Sequence, residues 1–434
     1  LRPWLLFPLS ALVAASSAAE TSSPTTLSFD AALERALSAN ATVARAQAEV
    51  EAADAQRRTA LSYLFPRLQA SGGLVRNSKE VSFGSADFAR VILPQNDWSL
   101  RVTVSQPIFA GLRDLRTYRQ AKEGIRGAEQ GARAAEDQIL LKVAADYLTV
   151  VQGDALIAVE EQSLDLAQRR LKQARDFFEA GEVTQVDVLR AESSVKAAER
   201  RLALAQRERE VAAGQLRVDL DLDGEIRVAE PSPDLPPRPA EGELLAQAET
   251  TRPDVRQARI AFHVAELEVS KQKGAYLPVV TADAGYVRQK TAFPAEDYGY
   301  AALRVAVPIW QSGEVAAKVA GARVRQRQAQ LALEEVERSA REDVRRTILD
   351  AETAARTLSL SQEQLTAAEA EYQQVFELYQ SQEATSLDLQ ATETNLADAR
   401  RTVVNSRLAR ILAELGIHFA AGDLKSVVLK EAQP

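Results

Sequence analysis

The sequence predicts a mainly α-helical chain with a small β part, built as two structural repeats of long coiled-coil helices plus two strands each. Three observations predict this. The chain duplicates itself at a near-constant spacing. Two proline-free stretches, 111–178 and 313–379, keep a heptad pattern. Short segments ahead of each stretch alternate apolar and polar residues.

The duplication reads directly. Asn40-Ala41-Thr42-Val43 lies 212 residues before Arg252-Pro253-Asp254-Val255, and Leu64-Phe65-Pro66 matches Tyr276-Leu277-Pro278 at the same spacing. Beyond that the spacing is 201: Gln106-Pro107-Ile108-Phe109 matches Val307-Pro308-Ile309-Trp310, and Val186-Asp187-Val188-Leu189 matches Leu387-Asp388-Leu389-Gln390. The shift falls among Gly and loop residues, where a surface connection tolerates length drift.

Taken in order, residues 1–19 read as a cleaved export signal: Arg2, an apolar stretch from Trp4 to Ala15, and small residues Ser17-Ala18-Ala19 before Glu20. Residues 20–218 form the first repeat, 219–243 a Pro-rich extended linker, 244–418 the second repeat and 419–434 a C-terminal tail. A helix over about 30–64 starts after Ser28 and ends at Pro66. Its partner starts near Glu243, is interrupted at Arg252-Pro253 and ends before Pro278.

Strands are expected at about 67–108 and 279–309. Leu100-Arg101-Val102-Thr103-Val104-Ser105 alternates strictly, and Leu303-Arg304-Val305-Ala306-Val307 repeats the pattern. One apolar face suits either a half-buried sheet or a membrane barrel wall. Phe83, Phe88, Trp98, Phe109, Phe293, Tyr298, Tyr300 and Trp310 cluster near strand ends, as an interfacial girdle or as ordinary sheet packing.

Long helices follow at 111–178 and 184–217, then at 313–379 and 386–415. At 1.5 Å per residue the longer ones reach ~100 Å. Tyr118, Ala121, Ile125, Ala128, Ala132, Ala135 and Ile139 hold 3-4 spacing, and Val319, Ala322, Gln326, Ala329, Leu333, Val336 and Ala340 hold the same register. Four strands are too few to close a barrel. Strands that span a membrane therefore require an oligomer, of eight strands from two chains or twelve from three.

Composition excludes several classes. With no Cys there is no disulfide, thiolate metal site, Cys nucleophile or acylated N-terminal Cys. His263 and His418, the two histidines, suit solvated or structural roles. A net charge of -8 argues against a nucleic-acid partner. Phosphate-loop, zinc-protease and serine-hydrolase motifs are absent, so no enzyme and no cofactor is expected. No stretch after the signal is long and apolar enough for a transmembrane helix.

The signal, the two helix–strand–strand–helix–helix halves, Gln106-Pro107-Ile108-Phe109-Ala110-Gly111, Val307-Pro308-Ile309-Trp310 and the run from Gly181 to Asp187-Val188-Leu189 and Ala191-Glu192 resemble the TolC family of outer-membrane efflux proteins. The resemblance covers nearly all of 28–418. It implies a homotrimer with a 12-stranded outer-membrane β-barrel, set in Gram-negative-type outer-membrane lipid and continuous with a periplasmic α-helical barrel. It implies a passive exit duct for a tripartite efflux pump or type I secretion system. Its partners would be a periplasmic adaptor and an inner-membrane transporter of RND, ABC or MFS type. Alternatives are a periplasmic adaptor protein or a structural extracytoplasmic coiled coil. The adaptor reading fits less well, because it has one hairpin and no duplication.

Carried over by position, Glu179, Ala180, Gly181, Glu182 and Val183, with Ser381, Gln382, Ala384 and Thr385, form the periplasmic tips that contact the adaptor. Asp388 aligns with a family aspartate of the constriction. Asp187 and Tyr379 align with a pair that ties neighbouring helices in the closed state. An aspartate near a helix N-terminus also has an ordinary explanation in the helix dipole. Gln382, Ala384 and Ala391 depart from the family pattern, which leaves one acidic ring at Asp388, aided by Glu383.

Overall fold

A computed structural model describes residues 25–84, 90–231, 237–291, 296–381 and 383–429. The signal at 1–19, Phe88, Phe293, Gln382 and linker residues Pro233 and Pro236 lie outside the described residues.

The first half runs β1 (Thr25–Leu27), α1 (Phe29–Ala39), α2 (Ala41–Ser62), β2 (Arg67–Arg76), β3 (Val81–Phe83), β4 (Arg90–Leu93), β5 (Asn96–Ala110), α3 (Arg113–Glu179) and α4 (Gln185–Leu220). The second half runs β6 (Ile226–Val228), α5 (Glu241–Thr251), α6 (Pro253–Lys273), β7 (Val279–Gln289), β8 (Asp297–Ala306), α7 (Glu314–Gln380), α8 (Ser386–Ala421) and α9 (Leu424–Val428). Helices α3 and α7 both have 67 residues, and α4 and α8 both have 36. The first half's excess sequence builds a short antiparallel hairpin, β3–β4.

Three expectations need correction. The single helix over 30–64 is two helices, broken at Asn40. That residue caps α2 by accepting from the Thr42 N–H at 2.9 Å and donates from Nδ2 to the Asp219 carbonyl at 3.0 Å. Segment 219–243 is not wholly extended linker. It contains β6, which pairs in parallel with β1, and it runs into the start of α5. The tail at 419–434 begins inside α8, which continues to Ala421, and α9 then tucks Leu424 and Val428 into the core.

The long helices form two hairpins. Near the strands α3 packs on α2 and α6; nearer the tips it packs on α4 and α8. The heptad seams face these partners, and small residues let the backbones approach. The Ala167–Val195–Ala198 cluster recurs 201 residues on as Ala368–Leu396–Ala399. The main core lies midway along the molecule, where Leu33, Leu140, Tyr147, Leu216, Ile226, Leu415 and Leu424 meet. The buried Tyr147 hydroxyl lies within 2.9 Å of the Leu27 carbonyl and 2.8 Å of the Ala229 carbonyl, clasping both short strands. Buried His418 bonds Asp423 at 3.1 Å, a structural role, while exposed His263 sits by Glu266.

Beside this core, Asp137 lies among Glu136, Asp423, Lys425 and Arg133. Burial, then the Glu136 charge, pushes its carboxyl up to about 6 from an ordinary 3.8. A carboxyl raised on folding contributes stability in full below its unfolded value, and that contribution is lost as pH rises through the folded value. Asp137→Asn is therefore expected to stabilise the protein at pH 7.5 by on the order of 2 kcal/mol. The advantage should vanish near pH 4. Thermal melts across pH 4–8 check this, and parallel curves for the two proteins would refute it.

The four long strands form one antiparallel sheet in the order β2-β5-β7-β8. Its central pairing, β5 with β7, joins the two repeats. Pro107, which has no N–H to give, sits at a bulge in β5. The register puts Leu68, Leu74, Trp98, Leu100, Val102, Val104 and Leu303 on one face, and Arg67, Gln69, Arg101, Thr103, Asp283, Tyr298, Tyr300 and Arg304 on the other. The apolar face is the exposed one: Leu74 is 89% and Leu303 69% exposed, while Asp283 on the polar face is 8% exposed. On β5, β7 and β8 the polar face is thus the more covered one, the reverse of a soluble sheet. Tyr298 and Tyr300 belong to that polar side and not to an outer girdle, whereas Trp98 and Trp310 are exposed on the apolar side or just beyond it.

Candidate functional site

Each hairpin turns at its tip through a short loop, 180–184 in the first half and 381–385 in the second. In the first loop Gly181 has φ +76°, a left-handed conformation that releases the chain from α3. Each returning helix then opens with Thr-x-x-Asp. The Asp187 carboxylate accepts from the Thr184 N–H at 3.2 Å and hydroxyl at 2.8 Å. The Asp388 carboxylate accepts from the Thr385 N–H at 3.0 Å and hydroxyl at 2.6 Å. These are capping boxes, the ordinary way to satisfy the free N–H groups of a helix start.

The same bonds set the charge. The Thr184 hydroxyl, then Ser386, holds the Asp187 carboxyl below its usual range. The Thr385 hydroxyl and N–H do the same for Asp388, which is fully solvent-facing. Both aspartates therefore stay ionised at neutral pH. Exposed Glu383 adds a third carboxylate at the tips, and Glu179, Ala180, Glu182 and Ser381 are exposed beside it, with Val183 and Ala384 half-buried.

Asp187 and Tyr379 come near each other, with no hydrogen bond between them. Tyr379 is buried, its ring stands 6.1 Å from that of Phe177, and its hydroxyl has no hydrogen-bond partner among the described residues. Burial, then the Asp187 charge, raises its phenol. Asp187 reaches the other hairpin through Ser386 instead, whose hydroxyl donates to it at 2.8 Å.

Further contacts between hairpins lie above the tips, where sequence reasoning placed none. Arg170 on α3 donates to Glu393 on α8 at 2.6 Å, and both are largely buried. Glu160 on α3 accepts from Arg401 of α8 at 2.6 Å and from Arg201 of α4 at 3.3 Å. A signal for them exists. Where the first repeat has Glu160, the second has Ser361, and both are buried. A buried carboxylate that departs from its own duplicate marks a partner outside the repeat.

Among the described residues no cluster of acidic or histidine side chains is arranged to hold a metal, and no helix is long and apolar enough to cross a membrane. Long capped hairpins joined to a sheet whose apolar face is the more exposed one suit a chain anchored in a membrane by its strands.

The description "Outer membrane efflux protein" matches residues 32–219 and 244–423, and the chain belongs to that family. It resides in the outer membrane, and proteins of this family work with adaptors and inner-membrane transporters. The pyoverdine export outer membrane protein OpmQ of Pseudomonas aeruginosa is 26% identical over 406 residues, covering 91% of this chain and 85% of that protein. A solved CusC structure superposes with a TM-score of 0.79 at 20% identity, covering 91% of this chain and 92% of that one. The Campylobacter jejuni CmeC outer membrane channel superposes at 0.77 with 16% identity, covering 97% and 94%. The family sets aside the adaptor and structural coiled-coil readings.

Proposed function

We propose that three copies of the chain close one 12-stranded barrel, and that the barrel continues into a helical tunnel whose resting state is closed at the tips. The observation that carries this is the sheet. Strands of 10 to 15 residues are long enough to cross a bilayer core. Their apolar face is exposed, and among the described residues the outer edges of β2 and β8 pair with no strand. Backbone groups left unpaired in lipid cost several kcal/mol each, so the edges must meet those of other copies.

On this reading solute passes passively, and an adaptor with an inner-membrane transporter of RND, ABC or MFS type draws the tips apart. The tip loops meet the adaptor. Asp388 forms the acidic ring of the aperture, Glu383 assists it, and the Asp187–Ser386 contact beside buried Tyr379 holds the hairpins together. The ionised, outward-facing Asp388 carboxylate supports the ring. A ring of carboxylates attracts multivalent cations.

Light scattering on detergent-purified protein should return three chains per particle, and trivalent hexamminecobalt on the tip side should block its bilayer current. Asp388→Ala should weaken that block about tenfold or more. Two chains per particle would replace the 12-stranded barrel with an 8-stranded one. Unchanged block in Asp388→Ala would remove the ring.

A further inference from the structure

The polar face of the sheet carries charge that the tips do not explain. Reading across the strands by register, Arg67 lies opposite Ser105, which lies opposite Asp283. Arg101 lies between Ser71 and Val287. Arg304 lies opposite Thr281, one residue pair nearer the helices.

Their compensation differs. Arg304 pairs with buried Asp283 at 3.3 Å and is neutralised. Arg67 stands 5.1 Å from the Tyr63 ring centroid, which holds the guanidinium without cancelling its charge. Arg101 has no ion pair among the described residues, although it is exposed on this face. One other acidic residue shares the face within the sheet, Asp97, four residues along β5 from Arg101 and bonded to the Thr291 hydroxyl at 3.4 Å. Four strand residues span ~13 Å, beyond the ~8 Å screening length of physiological salt.

The face is also built as a wall. The Tyr300 ring lies flat across Gly285, where an added Cβ would come within 2.7 Å of it, and its hydroxyl reaches to 3.4 Å from Thr103. The polar face is therefore lined by hydroxyls, aromatic edges and two guanidiniums per chain that no carboxylate answers among the described residues.

We infer that the barrel lumen is an anion-attracting belt, centred on Arg67 and Arg101, that binds multivalent solutes bearing phosphate or carboxylate groups. The inference rests on the three-chain barrel, in which two such arginines per chain become six around one lumen. A ring of guanidiniums in a low-dielectric wall focuses potential on the pore axis, and its planar forks match phosphate and carboxylate oxygens. The duct then carries opposite charge at its two ends. The acidic aperture gathers cations, and the belt favours anions on the way out.

Inositol hexakisphosphate is a suitable probe, measured by equilibrium binding to the detergent-purified trimer, so that closed tips do not obscure the result. Wild-type protein should bind it at low ionic strength and lose affinity steeply as salt rises. Arg67→Gln/Arg101→Gln should weaken binding about tenfold or more, while Arg67→Lys/Arg101→Lys should keep most of it. Light scattering on each variant verifies that the trimer is intact. An intact trimer that does not bind the probe overturns the belt and leaves the barrel standing. So does a double Gln variant that binds like wild type. A wild-type protein that forms no trimer overturns both.

Discussion

Gly111→Ala is expected to abolish assembly. Gly111 has φ +63°, and a Cβ there would lie 2.0 Å from the Gly274 carbonyl oxygen. A Cβ on Gly274 would in turn lie 2.3 Å from the Gly111 carbonyl oxygen. Each backbone occupies the space of the other's missing side chain, where β5 becomes α3 and where α6 ends before β7. Neither can move without dragging a strand out of the sheet. Left-handed strain plus backbone overlap amounts to about 4 kcal/mol or more, enough to unfold a marginal protomer.

Gly313 supplies the control. It has φ +80°, but no atom lies within 4 Å of its would-be Cβ, so Gly313→Ala should cost only about 1 kcal/mol. The yield of folded trimer in outer-membrane fractions measures both. A normal yield of Gly111→Ala trimer would show that the junction has slack the geometry does not contain.

Glu160→Ala should loosen the seam between the two hairpins. The substitution leaves Arg201 and Arg401 beside a cavity with no shared carboxylate. Leaving half-buried donors without their shared acceptor typically costs about 1–3 kcal/mol. The loss should appear as faster amide hydrogen exchange in α8 around Leu396 and as a higher resting conductance. Adding Arg201→Leu should restore part of the protection, because Arg401 keeps its pair with Asp398 and the charge left unanswered leaves with Arg201. Ser361→Ala at the duplicate position should change little, since among the described residues its hydroxyl bonds only the Leu358 carbonyl of its own helix. Unchanged exchange in Glu160→Ala would mean that apolar packing alone holds the seam.

Much of the architecture is legible in the sequence, because duplication makes each half a check on the other. The spacing of 201 recurs in the starts and ends of α3 and α7 and of α4 and α8. Strand alternation identifies an apolar and a polar face at residues 100–105, but not which of them is outermost; that depends on curvature across four strands. The break at Asn40 escapes because Asn40-Ala41 lacks the proline that marks Arg252-Pro253, and a polar cap inside a helical run looks like any surface residue. Tyr147 gives no local sign of its clasp, since the carbonyls it meets come from distant β1 and from the residue that follows β6. At the tips, Thr-x-x-Asp is readable at 184–187 and 385–388 as capping chemistry. The partners of Glu160 and Arg170 are not, because they depend on how one hairpin leans on the other.

The matched hairpins bear on the order of folding. Within each hairpin, the sequence separation of facing residues is smallest at the tip and grows toward the strands. Closing the five-residue turn carries the least loop entropy, and the capping box stabilises the first turn of the returning helix as it forms. Each hairpin should therefore nucleate at its tip and zip toward the membrane, with local contacts fast and early. The β5–β7 pairing joins residues at least 169 positions apart, and in the proposed trimer the β2 and β8 edges wait on other chains. The end of the protein proposed to open is then the end that forms first, and the helical body should be assembled before any strand enters lipid.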